Sequence, residues 1–187
     1  MVAGNTNSRQ HATTLLRSGG VIAYPTESVF GLGCLASLPQ SIERLLAIKG
    51  RDSSKGLIVA GAELAHFSQW IEPLSPTEIQ QIRAIPHRPT TWLVRAKKTT
   101  STLLTGNSSL LAIRISQHPV IQAFCHELGE GIVSTSANLS GKSPARHAPQ
   151  IDATLARQLD FIVDEACGDH TKPSRICDLA TGRVLRE

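Results

Sequence analysis

Aromatic residues are scarce in this sequence: Phe, Trp and Tyr together make up 4% of its 187 residues. Proteins that bind single-stranded nucleic acid without sequence preference stack the bases on aromatic side chains, so a binder of that kind is disfavoured. No run of about 18 apolar residues occurs, and no transmembrane helix is predicted. The N-terminal stretch MVAGNTNSRQHATTLL has no basic segment followed by an apolar core. No secretory signal is therefore predicted, and we expect a cytoplasmic protein without membrane association.

The cysteines lack the spacing of metal ligands or redox pairs. All four are isolated in the sequence, at Cys34, Cys125, Cys167 and Cys177. A chain of this length buries about 70% of its unfolded surface and does not need disulfides for stability, so we expect reduced thiols. The seven histidines show no H-E-x-x-H or mixed Cys/His spacing. A metal ion bound by protein side chains alone is not predicted.

Several motifs of nucleotide-binding proteins and hydrolases are also missing. The sequence has no G-x-x-x-x-G-K-[ST] phosphate loop, and Gly31-x-Gly33 is too short for a dinucleotide-binding fingerprint. It has no G-x-S-x-G nucleophile elbow either. A phosphate loop, a dinucleotide-binding fold and an α/β-hydrolase are therefore disfavoured.

Basic residues form two clusters along the chain, although the net charge is only +4. They cluster at Lys49, Arg51 and Lys55 and again within 83–98, whereas acidic residues concentrate within 152–169. This asymmetry favours an anionic partner near the first half; the alternative is a solvated surface with a chance imbalance. Lys49 and Arg51 follow a predicted helix, where cations either complement the helix dipole or, together with Lys55, bind a polyphosphate.

Strand and helix signals alternate along the chain, which is typical of an α/β domain with a mixed twisted sheet. Gly50 and Gly129 are predicted to close helices, and Ser75 with Glu78 forms a predicted capping box. No linker or repeat divides the chain, so we expect one domain over residues 1–187. Helices are predicted over 8–18, 39–49, 62–70, from 75, over 119–128 and 149–159, and strands over 21–24, 57–60, 91–96, 110–115, 132–134, 161–163, 175–179 and 183–185, the last two as a hairpin.

Two segments carry small hydroxyl residues directly after a predicted strand. They are YPTESVFGLG, residues 24–33, and VSTSAN, residues 133–138. Hydroxyls and backbone N–H groups at strand ends commonly bind phosphates or small polar ligands, so two such loops predict one site assembled from distant parts of the chain. Ser134 and Ser136 have no neighbouring His or Lys to activate them, which favours hydrogen-bond donors over nucleophiles. Asn138 is either a turn residue or part of the same site.

Three further polar residues each allow two interpretations. Arg114 interrupts the apolar run LLAIRI and lies either on a solvent-exposed face or in a cleft, where it would hold a carboxylate through two hydrogen bonds. Glu27 is an exposed carboxylate without a role, or it orients a ligand ammonium group or a metal-bound water. His118 precedes Pro119, and we favour a helix-entry residue over a general base.

Five segments, taken in order along the chain, resemble the motifs of the YrdC-like family. Within it the resemblance is to the short bacterial threonylcarbamoyl-AMP synthases, and it extends from about residue 8 to residue 187. Each segment alone is weak evidence, but five in the same order are very specific. They are YPTESVFGLG at 24–33, KGR and KGLI within 49–58, AIRI followed by HP within 112–119, STSANLSG at 134–141, and PSRICD at 173–178.

The resemblance implies a single-domain YrdC-like fold, a twisted open mixed sheet flanked by helices with a large basic concave face. It implies a nucleotidyltransferase that converts L-threonine, bicarbonate (or carbon dioxide) and ATP to threonylcarbamoyl-adenylate and pyrophosphate, typically with Mg²⁺. The adenylate then serves partner proteins that modify an adenosine of tRNA, and binding of tRNA or double-stranded RNA is a further implication. Such chemistry needs positioning and charge stabilisation rather than a covalent nucleophile.

The resemblance also implies roles for individual residues. Thr26 is expected to contact L-threonine, and Arg114 to hold its carboxylate. Lys55 is a weaker candidate for phosphate binding, and no residue is expected to act as a covalent catalyst. The remaining positions are expected at the ATP site: Lys49 and Arg51 at the phosphates, Thr91 facing the nucleotide, Ser134, Ser136 and Asn138 binding it through hydroxyls, amide and backbone, and Ser174 closing the site.

Two positions depart from the family pattern. Asp52 stands where the family usually has proline, and an ion pair with Arg51 would weaken phosphate binding by less than about 1 kcal/mol because solvent screens it. Arg88 replaces a glycine, so it either keeps the backbone away from the ligand or adds a phosphate contact. These departures leave open a non-catalytic RNA-binding paralogue and a relative that has lost activity. A third alternative is a carbamoyl-transfer enzyme like the YrdC-like domain of hydrogenase maturation proteins, whose additional acylphosphatase-like and zinc-finger segments find no counterpart in this sequence.

Overall fold

The structure, a computed structural model, describes residues 3–84, 88–139 and 141–187. Over these residues the helices are α1 (Ala3–Arg17), α2 (Pro39–Lys49), α3 (Pro76–Arg83), α4 (Thr102–Thr105), α5 (Pro119–Leu128) and α6 (Ala153–Ala156). The strands are β1 (Ile22–Pro25), β2 (Phe30–Gly33), β3 (Ile58–Gly61), β4 (Thr90–Arg95), β5 (Leu110–Ile115), β6 (Ile132–Ser136), β7 (Phe161–Ile162), β8 (Arg175–Asp178) and β9 (Val184–Arg186). Short 3₁₀ turns cover Ser53–Lys55, Leu64–Phe67 and Ala148–Gln150. None of the helices described is long and apolar enough to cross a membrane.

These strands join one mixed sheet in the order β7-β1-β2-β6-β3-β5-β4-β8-β9. The pairs β1 with β7, β3 with β5 and β4 with β8 are parallel. The other neighbours are antiparallel, including the terminal hairpin of β8 and β9. The sheet confirms the predicted α/β fold class with mixed strand directions.

Each face of the sheet has its own apolar cluster. Because successive residues of a strand point to opposite faces, Ala60 and Val59 of β3 belong to different clusters. Ala60 packs with α1 and α5, whose Leu16 and Phe124 are fully buried. Val59 packs in the cluster to which α2 contributes Leu45. The sheet is therefore a middle layer with helices on both sides.

Helix boundaries follow the turn residues that predicted them. Pro39 opens α2, and Gly50 closes it in the left-handed conformation at φ 57°. Gly129 closes α5 in the same conformation. At the start of α5, His118 Nδ1 accepts a hydrogen bond from the Val120 N–H group, which confirms its role as a helix-entry residue. The predicted capping box at the start of α3 is also present.

Several predicted elements differ from the structure, and α1 begins at Ala3 although the predicted helix begins at residue 8. The segment 62–70 forms only the 3₁₀ turn Leu64–Phe67. The segment 149–159 is divided between the turn Ala148–Gln150 and α6, because Ile151 between them is extended (φ −65°, ψ 128°). Strand β6 runs two residues past its predicted end, since Ser136 pairs with Gly31 of β2. Helix α4 has no counterpart in the prediction.

The largest difference is a β-hairpin in residues 24–33, where the sequence predicts a loop. Its second arm is β2, which pairs antiparallel with β1. Glycines usually weaken strands, which is why the segment is typical of a loop. Here packing requires them: a Cβ atom on Gly33 would overlap Val133 O and would lie 2.6 Å from the Tyr24 ring. The Tyr24 hydroxyl donates to Val133 O at 3.1 Å, so the ring is fixed over β2.

We expect Gly33→Ala to lower the free energy of unfolding by about 1–3 kcal/mol, because the added methyl group overpacks against a backbone carbonyl and a buried ring. Chemical denaturation followed by circular dichroism measures the change. Gly31→Ala, two residues earlier on β2, is the matched control. Its methyl group would be 3.2 Å from the nearest atom, the Thr26 Cγ2 methyl, so its effect should be smaller. Equal stabilities for Gly33→Ala and the wild type would contradict the packing argument.

Candidate active site

A cavity of about 630 Å³ opens on the sheet face that carries Ala60, beside the part that α1 and α5 cover. Its floor includes Ser134, Ile58, Ala112 and Leu93. These four residues are successive cross-strand partners on β6, β3, β5 and β4, so the register places them on one face. The rim comes from the segments 26–31, 51–57, 104–108, 135–138, 173–176 and 185–186 and from Pro144.

The lining of this cavity is cationic. Among the residues that the structure describes, no carboxylate lines it. Positive charge on a concave surface rich in hydroxyl groups suits an anionic ligand. The predicted basic concave face is therefore confirmed. The basic residues in the lining are Arg51, Lys55, Arg114 and Arg186, and its hydroxyl and amide residues are Thr26, Ser28, Thr105, Ser108, Ser134, Thr135, Ser136, Asn138 and Ser174.

Arg114 lies in this cavity and not on a solvent-exposed face. Its neighbour Ile113 points to the opposite face and is fully buried, while Arg114 itself is only 8% exposed. Its Nη2 atom donates to Ser134 Oγ at 3.2 Å and lies 3.8 Å from Glu27 Oε2. The Nε atom has no hydrogen-bond partner in the described part of the chain. The predicted position in a cleft is confirmed. A guanidinium can bind a carboxylate through two hydrogen bonds, and that contact stays a prediction.

Glu27 lies behind Arg114 and does not line the cavity. Its Oε1 atom accepts from Ser116 Oγ at 2.5 Å and from the Gln117 N–H group at 3.1 Å. Burial alone would raise the pKa of Glu27, but the Arg114 charge and these hydrogen bonds outweigh it and lower the pKa. The carboxylate is therefore ionised at neutral pH. Glu27 was predicted to orient either a ligand ammonium group or a metal-bound water. Because it does not line the cavity, its position does not support direct contact with an ammonium group.

Thr26 lines the cavity, but its hydroxyl also holds the turn between β1 and β2. Its Oγ1 atom donates to Val29 O at 2.7 Å and accepts from the Ser28 N–H group at 3.4 Å. A ligand would therefore have to use the remaining lone pair of Oγ1. The contact with L-threonine stays a prediction.

Lys49 is not among the residues that line the cavity. Its Nζ atom contacts Ser136 O at 2.5 Å, Asn138 Oδ1 at 2.9 Å, and Asn138 O. An ammonium group has three donors, so these acceptors engage all of them. Burial, with the nearby Arg51 charge, lowers the pKa of Lys49 to about 8. The structure places Lys49 behind the loop that lines the cavity, and its contact with phosphate stays a prediction.

Arg51 lines the cavity and is held by the backbone: its Nη2 and Nε atoms donate to Gly56 O at 2.9 and 3.3 Å. Among the ion pairs of the described residues, none joins Arg51 to Asp52, although the sequence made such a pair possible. Asp52 Oδ1 instead accepts from the Ser54 N–H group at 2.9 Å and caps the 3₁₀ turn Ser53–Lys55. The hydrogen bonds to Ser54 are also the main cause of the lowered pKa of Asp52. The guanidinium of Arg51 is thus not neutralised by its neighbour.

Thr91 is fully buried and reaches the cavity only through Ser174, which lines it. The two hydroxyl oxygens lie 2.8 Å apart. They meet because β4 and β8 are parallel neighbours, with Thr91 paired to Ile176. Thr91 therefore positions Ser174, and direct contact between Thr91 and a nucleotide stays a prediction.

Arg186 on β9 is a residue of the cavity lining that the sequence analysis missed. Its Nη2 and Nε atoms donate to Ser174 O at 2.7 and 3.2 Å. Burial, followed by the charges of Arg114 and Arg88, lowers its pKa, as expected where guanidinium groups lie close together. The predicted terminal hairpin could have indicated this position, because antiparallel pairing places Arg186 opposite Ile176 of the PSRICD segment.

Arg88 lies outside the lining of the cavity. Its Nη1 atom binds Glu187 Oε2 at 3.0 Å, and its Nη2 atom donates to Pro173 O at 3.4 Å. It therefore supports the segment before Ser174 and adds no cation to the cavity. The neighbouring His87 lies outside the described residues.

Away from the cavity, Glu63, His66 and His126 bring ligand atoms within 4.8 Å of one another. His66 Nδ1 accepts from the N–H groups of Ala62 and Glu63. Its proton therefore stays on Nε2, the nitrogen that faces Glu63 Oε1 at 3.9 Å. A metal ion at Nε2 would need that proton removed, and Glu63 and His66 instead cap the 3₁₀ turn Leu64–Phe67.

Known proteins with similar sequences place the chain in a family. Residues 14–187 match the family model Sua5_yciO_yrdC, described as telomere recombination. The chain belongs to this family. Two relatives named threonylcarbamoyl-AMP synthase are similar to it over most of their length. The one from Photobacterium profundum is 40% identical over 180 residues, 95% of this chain and 97% of the relative. The one from Xylella fastidiosa (strain M12) is 41% identical over 177 residues, 94% of this chain and 95% of the relative.

Solved structures of related proteins share the fold of this Sua5/YciO/YrdC chain. YciO of E. coli superposes with a TM-score of 0.80 at 26% identity and covers 98% of this chain and 89% of its own. Sua5 of P. abyssi, solved with L-threonine, superposes with a TM-score of 0.87 at 23% identity. That match covers 95% of this chain but 53% of Sua5, so the chain spans about half the length of Sua5. At this identity the Sua5 likeness shows the fold alone.

Proposed function

We propose that this protein is a threonylcarbamoyl-AMP synthase, which forms threonylcarbamoyl-adenylate and pyrophosphate from L-threonine, bicarbonate and ATP. The observation that carries the proposal is Arg114, a buried arginine with free donors in a cationic cavity lined by hydroxyl groups. The relatives that bear this name are about 40% identical to the chain over nearly its whole length.

The chemistry requires two bond-forming steps. The amine nitrogen of threonine attacks the carbon of carbon dioxide, or of bicarbonate with loss of water, and gives up a proton as the carbamate forms. A carbamate oxygen then attacks the α-phosphorus of ATP, and the bond from that phosphorus to the bridging oxygen of pyrophosphate breaks. Neither step forms a bond to the enzyme. The protein has to align the carbamate with the α-phosphorus and stabilise charge on the phosphate oxygens.

The lining of the cavity divides these tasks between its residues. Arg114, with Ser134 beside it, holds the carboxylate of threonine near the turn that contains Thr26. The cations Arg51, Lys55 and Arg186 stabilise the polyphosphate from the rim. Ser136 and Asn138 lie at the end of β6. The Ser136 hydroxyl donates to the nucleotide, whereas Asn138, whose Nδ2 atom donates to Leu139 O and Lys142 O, shapes the loop that lines the cavity. Ser174 belongs to the lining, and Lys49 and Thr91 support it from behind.

Mg²⁺ fits the cavity as an ion that arrives with the substrate. The described lining residues offer hydroxyl and amide oxygens but no carboxylate, and Mg²⁺ commonly keeps several waters while it binds substrate phosphates. The hydroxyl oxygen of Ser136, at the end of β6, would hold the ion or its waters, whereas Asn138 Oδ1 already accepts from Lys49. When bound, the ion neutralises charge on the phosphate oxygens.

We further propose that the adenylate passes to partner proteins that modify tRNA, and that the protein works in the cytoplasm, where ATP and tRNA meet. RNA binding by the basic surface remains an additional proposal. If this proposal is right, the affinity of the protein for RNA should fall steeply as the salt concentration rises.

Pyrophosphate release by the purified protein tests the main proposal. We expect release only when ATP, L-threonine, bicarbonate and Mg²⁺ are all present, with threonylcarbamoyl-adenylate detected by mass spectrometry. L-Serine or L-alanine in place of L-threonine serves as the substrate control. No release in the complete mixture, together with salt-sensitive RNA binding, would favour the non-catalytic RNA-binding alternative and overturn the proposal.

A further inference from the structure

Arg114 and Glu27 form an ion pair in which both side chains are buried. Each residue is only 8% exposed, and their charged atoms, Nη2 and Oε2, lie 3.8 Å apart. Buried charges are unfavourable unless they are paired, so each residue is the counter-ion that makes the other tolerable. Within the described residues, the only hydrogen bond of the Arg114 guanidinium goes to Ser134 Oγ.

The Glu27 carboxylate is held rigidly on the side away from Arg114. Ser116 Oγ and the Gln117 N–H group both donate to Oε1, and the backbone carbonyl of Glu27 accepts from the His170 N–H group at 3.1 Å. Ser116 follows β5, the strand that carries Arg114. The negative charge is therefore fixed relative to the strand from which the guanidinium projects.

The other carboxylate oxygen, Oε2, is buried without a hydrogen-bond partner in the described chain. Such an atom is uncommon in folded proteins and calls for an explanation. At 3.8 Å it attracts the Arg114 guanidinium by charge but is too far away to accept a hydrogen bond from it. The guanidinium is thus oriented by charge, and no hydrogen bond to Glu27 occupies its N–H groups.

We propose that Glu27 is a positioning residue that orients Arg114 for the carboxylate of the amino-acid substrate. The inference rests on the proposed function, since it assigns the site of that carboxylate. The two possible roles of Glu27 predict opposite changes in affinity for the carboxylate when its charge is removed. A residue that only neutralised Arg114 would weaken carboxylate binding, and its removal would strengthen it, whereas a residue that orients Arg114 strengthens binding, and its removal weakens it.

Glu27→Gln tests this claim, because the amide oxygen can still accept from Ser116 and Gln117 while the charge is lost. We expect the dissociation constant for L-threonine, measured by isothermal titration calorimetry without ATP, to rise about 10- to 100-fold, since small misplacements of a binding group have effects of that size. The KM for L-threonine should rise in parallel, and the KM for ATP should change little. Glu72→Gln, an exposed glutamate outside the cavity, is the matched control and should behave like the wild type.

A double-mutant comparison separates positioning from general support of the fold. In an Arg114→Ala background, Glu27→Gln should add almost nothing to the loss of L-threonine binding, because Glu27 acts through Arg114. Full additivity, or unchanged or tighter binding by Glu27→Gln alone, would overturn the inference. If Glu27→Gln fails to fold, Ser116→Ala, which only loosens Glu27, should weaken L-threonine binding in the same direction, and unchanged binding would again overturn it. A wild-type protein that neither binds L-threonine nor releases pyrophosphate would refute the proposed function instead.

Discussion

Replacing Arg114 with alanine should raise the KM for L-threonine by about 100-fold or more and leave the KM for ATP nearly unchanged. The reason is that truncating one partner of a buried, hydrogen-bonded charge pair typically costs several kcal/mol. Here the truncated partner is Arg114, the side chain proposed to bind the carboxylate of L-threonine. Steady-state pyrophosphate release, with each substrate varied in turn, measures both constants. Arg114→Lys should give an intermediate value, because an ammonium group keeps the charge but not the planar pair of donors.

Two controls make this result interpretable. Arg95→Ala removes an arginine from the neighbouring strand β4 whose side chain is exposed and pairs with Glu78, so its kinetics should match the wild type. Thermal unfolding of Arg114→Ala should show a folded protein, although Glu27 loses its counter-ion. If the KM for ATP rose and that for L-threonine did not, Arg114 would belong to the nucleotide site and its assignment would be wrong.

Local signals in the sequence predicted α2 and α5 well because the ends of these helices carry strong turn chemistry. Pro39 and Gly50 bound α2 as predicted, and α5 runs from Pro119 to Leu128, also as predicted. The inward orientation of Arg114 was one of two open interpretations, since alternation along a strand gives the face but not what covers it. The register of β5 with β3 and β4 decides between them.

Features that depend on contacts between distant segments could not be predicted from local sequence patterns. The glycines of β2 are typical of a loop, and only the Tyr24 ring packed over them makes a strand the better arrangement. Arg186 enters the cavity lining through pairing across the terminal hairpin. Lys49 appears beside Arg51 in the sequence as an equivalent cation, yet its side chain turns to the end of β6. Its acceptors lie 87 and 89 residues away, and no local pattern predicts them.

This difference between Lys49 and Arg51 leads to the second large expected effect. Arg51→Ala should lower kcat by about 100-fold, a typical loss for a group that stabilises charge in the reaction. Lys49→Ala should lower kcat by a similar factor, because it releases the end of β6 that lines the cavity. Lys49→Ala should also lower the midpoint of thermal unfolding, because it leaves partly buried acceptors of Ser136 and Asn138 without their donor. Arg51→Ala should leave stability almost unchanged, since its side chain holds only Gly56 O.

The pH dependence of the wild type provides an independent check on Lys49. Because burial lowers the pKa of its ammonium group to about 8, the group loses its proton, and one of its donors, as the pH rises through that value. Activity should therefore fall above about pH 8, and Arg51→Ala should keep the fall at a similar or slightly higher pH because it removes a neighbouring positive charge. Arg44→Ala, an α2 variant whose guanidinium pairs with Asp160 outside the cavity, should retain the wild-type rate and profile. Lys49→Ala with reduced kcat but unchanged stability would show that Lys49 acts on the phosphates directly, and that its contacts with the β6 loop contribute little to the fold.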